Sequence, residues 1–131
     1  MSDPSLELHK SVYAALVAAG VCGGRVHDRV PHAPQYPYCA LFDIQLVDDG
    51  NSCFQQDEAF VDIHIYSRQL GKVEIKQQIA LVRAALNVEV PVTGFTNALG
   101  QWQATRLVPS RDANSSHAVV SFRYLVQHEK F

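Results

Sequence analysis

The sequence predicts an α+β fold: an antiparallel sheet of two hairpins with two helices packed on one of its faces. Three observations carry this. Residues 38–47 and 56–66 alternate like strands around the turn-rich Asp48-Asp49-Gly50-Asn51-Ser52. Residues 101–109 and 116–127 repeat the arrangement around Asp112-Ala113-Asn114-Ser115. Two other stretches, 4–19 and 71–87, carry apolar residues at helical spacing.

In chain order, Asp3 suits a helix cap and Pro4 the first helical position. Leu6, His9, Tyr13, Leu16 and Val17 are expected on the inward side of that helix. Gly20 suits the left-handed residue that ends it, and Gly23-Gly24 a flexible corner. Arg25-Val26-His27-Asp28-Arg29 reads as a short strand. Pro31, Pro34 and Pro37 then fix φ and remove donors, so 30–37 is expected as an extended, ordered loop.

In the first hairpin, Tyr38, Ala40, Phe42, Ile44 and Leu46 are expected on one face, with Cys39, Leu41, Asp43, Gln45 and Val47 on the other. The return strand has an apolar face of Ala59, Val61, Ile63 and Ile65. Glu58, Phe60, Asp62, His64 and Tyr66 lie opposite. The second helix is marked by Ile75, Ile79, Val82 and Leu86. Pro91 and Gly94 break regular structure between this helix and the second hairpin. In the last strand Ala118, Val120, Phe122, Tyr124 and Val126 alternate with His117, Val119, Ser121 and Arg123. No repeat, linker or low-complexity segment divides the chain, and one domain over residues 1–131 is expected.

Composition excludes several classes. Charged residues are 18 % of the chain and apolar residues 47 %, which is not a disordered composition. Eleven basic residues face 13 acidic ones, without the basic excess of a groove that grips nucleic acid by its phosphates. No apolar run reaches the roughly 18 residues of a membrane span. Met1-Ser2-Asp3-Pro4 lacks the basic start of a signal peptide, so retention in the cytosol after synthesis is expected. Cys22, Cys39 and Cys53 are an odd set without metal-knuckle spacing and read as free, buried thiols.

No catalytic, cofactor or metal site is expected. His9, His27, His32, His64, His117 and His128 form no metal-binding helical pair. His27, His32 and Asp28 flank one loop, and Asp62, His64 and Tyr66 share one strand face; each set reads as solvated polar surface. Neither Cys39 nor Cys53 sits at a helix start or glycine elbow that would make it a nucleophile.

Charge is unevenly placed. From Val30 to Ser67 there is no lysine or arginine, while Asp43, Asp48, Asp49, Asp57, Glu58 and Asp62 fall in that stretch. After Gly100, Arg106, Arg111, Arg123 and Lys130 outnumber Asp112 and Glu129. An acidic first hairpin and a mildly basic second one suit head-to-tail association, which closes into rings when the rotation permits. Uncovered sheet edges are further candidates for contact.

Several stretches together resemble a known family. They are Gly24-Arg25-Val26-His27-Asp28-Arg29-Val30-Pro31, Tyr36-Pro37-Tyr38, His64-Ile65-Tyr66-Ser67-Arg68, the Gly71, Glu74 and Lys76 helix start, Val82-Arg83-Ala84-Ala85-Leu86, and Val120-Ser121-Phe122-Arg123. In order and spacing, across residues 6–127, they resemble the small tail-completion proteins of tailed phages, prophages and gene transfer agents, with a layout similar to the tail terminators. Tyr66 stands where such sequences often carry tryptophan, and the loop from Val47 to Gln56 does not follow the family pattern.

The resemblance implies a structural virion protein. It implies a hexameric ring that caps the tail tube, stops its polymerisation and joins it to the head connector, with DNA only passing through the lumen and no membrane contact. Its place would be the head–tail junction of a virion or virus-like particle, reached from the host cytoplasm. The acidic loop 48–58, with Asp48, Asp49, Asp57 and Glu58, is the candidate lumen or tube-facing side, where like charge would keep DNA sliding. Gln35, Tyr36, Arg68, Arg106, Arg111 and Arg123 are candidate contacts to a neighbouring subunit or ring. A head-side connector and a cellular binding module without a ring stand as alternatives.

Overall fold

The computed structural model describes residues 3–50, 55–109 and 115–128, apart from the side chains of Phe42 and Asp43. The expected turn residues Asn51, Ser52, Asp112, Ala113 and Asn114, together with Cys53, Arg111, Glu129 and Lys130, lie outside them.

Helix α1 (Ser5–Ala18) is followed by a tight turn and strand β1 (Val26–His27). Strands β2 (Tyr38–Asp48) and β3 (Gln56–Ser67) form the first hairpin. Helix α2 (Val73–Leu86) leads into β4 (Glu89–Val90), then β5 (Ala98–Val108) and β6 (Ser116–Gln127) form the second hairpin. The strand order is β1-β2-β3-β6-β5-β4. The hairpins join through a full-length antiparallel ladder between β3 and β6, from Gln56 opposite Gln127 to Ser67 opposite Ser116. These central strands have the cleanest alternation in the chain, as expected where one face is buried along the whole length. Among the described strands, β1 alone runs parallel to its neighbour.

One face of the sheet meets both helices. Ala59, Val61, Ile63 and Ile65 of β3 and Ala118, Val120, Phe122, Tyr124 and Val126 of β6 are buried there with Ile75, Val82 and Leu86 of α2. The fold expected from the sequence is present.

Three local readings are corrected. The inward residues of α1 are Leu8, Val12 and Leu16, all buried, whereas Leu6, Tyr13 and Val17 are 60 %, 41 % and 39 % exposed. Two apolar stripes compete on this helix, and contact with the sheet selects one. In β2, the register slips between Leu41 and Asp43. This bulge places Cys39, Leu41, Ile44 and Leu46 on the helix-facing side, breaking the strict alternation expected for 38–47. Strand β4 has no counterpart in the sequence pattern, because two residues are too few for a periodic signal.

Helix α1 starts one residue later than expected, with Pro4 at the cap and Ser5 in the first helical position. The Asp3 carboxylate, just before the cap, accepts from the Ser5 N–H at 2.8 Å, which holds its pKa below the usual value. Gly20 has φ +71° and ends the α1 turn as expected. The Tyr124 hydroxyl donates to the Leu86 carbonyl at 3.0 Å and so satisfies a carbonyl at the end of α2.

Candidate assembly surface

The second sheet face carries no helix of the described residues. Tyr38, Tyr66 and His117 occupy one continuous rung across β2, β3 and β6. Tyr38 stacks on Tyr66 with ring centroids 4.8 Å apart, and Tyr66 on His117 at 4.2 Å. His64, diagonal to His117, lies 5.1 Å from it, and its Nδ1 is 2.8 Å from His117 Nε2. One ring nitrogen donates to the other, so the pair is held with at least one imidazole neutral. Burial first, then His64 and Arg106, hold the His117 pKa below its ordinary 6.5. Burial and the neighbouring tyrosines push the Tyr38 hydroxyl up to about 12. Ala40 and Val119, on the neighbouring rung with His64, are buried although they point away from the helices.

The proline loop locks onto this end of the sheet. Arg25 Nε donates to the Pro37 carbonyl at 2.8 Å, and the Tyr36–Pro37 bond is cis. Tyr36 packs on Tyr38 at 5.1 Å, and the Arg68 guanidinium sits 4.6 Å from the Tyr36 ring centroid. Two candidate contacts far apart in sequence are thus joined, with Gln35 exposed beside them.

Charge has a spatial order. Because β3 and β6 are antiparallel, the two hairpin turns point to opposite ends of the sheet, about 35–40 Å apart. Asp48, Asp49, Asp57 and Glu58 lie at the first end, Arg68, Lys72 and Arg106 toward the second. Asp48 and Asp49 are exposed. Asp57 pairs with His128 at 2.9 Å, and Glu58 pairs with Arg123. Arg123, grouped by sequence with the basic second hairpin, therefore sits near the acidic end and is engaged within the chain, also donating to Gln101 at 3.1 Å. Arg111 lies outside the described residues.

The sequence pattern gives no sign of the aromatic rung. Tyr38, Tyr66 and His117 each fall at an ordinary alternating position, and only strand register brings them into line. Elsewhere, Asp28 faces His9 at 3.3 Å. Burial pushes the Cys22 thiol up to about 12 and the Cys39 thiol upward as well, leaving both protonated. Among the described residues no group of three or more histidine, cysteine or acidic side chains could hold a metal ion, and no helix is long and apolar enough to cross a membrane.

Comparison with known proteins supplies the context. A chain from the virion of a native gene transfer agent particle matches this fold with a TM-score of 0.81 at 18 % identity, over 97 % of this chain and 99 % of that one. At that identity the likeness speaks to fold. No curated protein matches the sequence. The family profile of tail completion protein gp17 matches residues 10–127, nearly the whole chain. With that profile covering nearly the whole sequence, the chain belongs to the tail completion protein gp17 family, whose members are structural proteins of the virion.

Proposed function

We propose that this chain is a tail terminator, acting as one domain over residues 1–131. In this reading six copies form a ring on the end of the tail tube, block further addition of tube protein and present a surface to the head connector. The ring works at the head–tail junction of a virion or virus-like particle, after the chain folds in the host cytoplasm. DNA passes through its lumen, and no cofactor or membrane takes part. Family membership over residues 10–127 carries the reading. The match to a chain from a gene transfer agent virion and the oppositely charged ends of the sheet support it.

The test is deletion of the gene in a particle-producing strain, with tail lengths measured by negative-stain electron microscopy. The expected result is detached tubes of uncontrolled, mostly excessive length beside filled, tailless heads. Normal-length tails lying loose from heads would reassign the chain to head-side joining. Intact, functional particles would overturn the reading.

A further inference from the structure

We infer that copies of this chain join edge to edge, with the outer side of β5 in one copy pairing antiparallel to the outer side of β2 in the next. The inference rests on the proposed ring and names the contact that would build it.

Both edges are only partly covered. Strand β1 pairs with β2 at Cys39 and Ala40 alone, and β4 pairs with β5 at Ala98 and Leu99 alone. The Gly100 N–H donates to the Val88 carbonyl and the Trp102 N–H to Asn87 Oδ1, extending the cover of β5 to Trp102. Beyond those points, the outer sides of Leu41–Asp48 and Ala104–Val108 face no strand among the described residues. Such backbone is a template for another strand.

The two edges complement each other. Strands β2 and β5 run in opposite directions, so a copy set alongside in the same orientation offers an antiparallel partner and keeps its helices on the same face. Face parity then restricts the register. Thr105 and Leu107 share the helix-facing side with Ile44 and Leu46. Leu107 falls opposite Ile44 and Thr105 opposite Leu46, which sets Arg106 opposite Gln45 and Ala104 opposite Val47. Beside Ile44 lies an open groove of about 410 Å³, lined also by Ser5, Leu6, His9 and Asp28. Leu107, 44 % exposed on its own chain, is the apolar side chain placed to enter it beside the exposed Leu6. Asp28, which pairs with His9, lies on the helix-facing side, whereas Arg106 enters on the opposite face beside Gln45, so the contact rests on strand pairing and Leu107 rather than on charge.

Geometry favours closure over a fibre. Each outer strand carries a bulge, between Leu41 and Asp43 and between Trp102 and Ala104, which bends the edge and shortens the ladder. The register offsets neighbours by about four residues, ~14 Å, across four strand spacings, ~19 Å. That corresponds to a tilt of about 35°, within the range that closes barrels. Six copies of four main strands set about 24 strands around a bore of roughly 45 Å between backbones, with the helix-free face inward.

The test uses particles made with cysteine pairs in a Cys53→Ser background, mildly oxidised and run on non-reducing gels. Gln45→Cys with Arg106→Cys, or Val47→Cys with Ala104→Cys, is expected to give a ladder of covalent oligomers up to six copies. The mismatched pair Gln45→Cys with Leu99→Cys should run as single chains. Leu107→Asp, checked for native circular dichroism, is expected to fall at least tenfold in particle incorporation. Normal incorporation without a ladder from either matched pair would overturn the edge contact while leaving the ring reading intact. Normal incorporation of Leu107→Asp would also overturn it. Absence of the wild-type chain from particles would remove the ring reading, and the edge contact with it.

Discussion

Gly100 shows how a single residue decides whether two elements can meet. A Cβ there would lie 1.9 Å from the Leu86 carbonyl oxygen and 2.7 Å from the Tyr124 ring. The clash is partly with backbone at the end of α2, so side-chain rotation cannot relieve it. Gly100→Ala is expected to cost about 2–4 kcal/mol in urea unfolding. Tyr124→Phe, which removes only the hydroxyl bonded to Leu86, should cost less, about 1–2 kcal/mol. His117 gives a second test at this scale. Its pKa is lowered in the folded chain, so the unfolded chain takes up a proton more readily. The stability it contributes is complete above pH 6.5 and is lost as pH falls below that, toward the folded value. Urea unfolding between about pH 7.5 and 5 should show this decline, and His117→Asn should flatten it.

At the scale of elements, the sequence is informative where one face is buried along a whole segment. Strand β3, strand β6 and helix α2 have buried positions at the spacing their periodicity predicts. Helix α1 is ambiguous because leucine, valine, alanine and tyrosine surround it. Packing against α2, β2 and the turn that follows the helix buries Leu8, Val12 and Leu16 and leaves Leu6, Tyr13 and Val17 outside. Leu16→Ala is therefore expected to cost about 2–5 kcal/mol, while Val17→Ala should stay within about 0.5 kcal/mol. Equal costs by chemical denaturation would contradict this orientation. The bulge in β2 left no signal in sequence, since an extra residue looks like any other until a partner strand counts it out.

For the whole molecule, antiparallel pairing of the hairpins separates the acidic and basic ends. If oppositely charged ends guide assembly, Asp48→Lys with Asp49→Lys should lower incorporation into particles severalfold. Adding Arg68→Glu and Arg106→Glu should restore part of the loss. These four side chains suit the test because, among the described residues, they form no ion pair, whereas Asp57 and Glu58 are paired with His128 and Arg123. Unchanged incorporation of the first variant would show that these charges do not guide assembly.

The sequence by itself determined the number and kind of the long elements, the α+β class and the residues of the central strands' buried face. Those arise from local periodicity, turn chemistry and proline geometry, which act within a few residues. Only the tertiary structure decided the joining of β3 to β6, the stripe that α1 buries and the aromatic rung of Tyr38, Tyr66 and His117. It likewise turned Arg123 toward Glu58 and left the outer sides of β2 and β5 open. Each depends on which distant segments share a register, and pairing residues some 50 to 65 positions apart leaves no periodic trace along the chain.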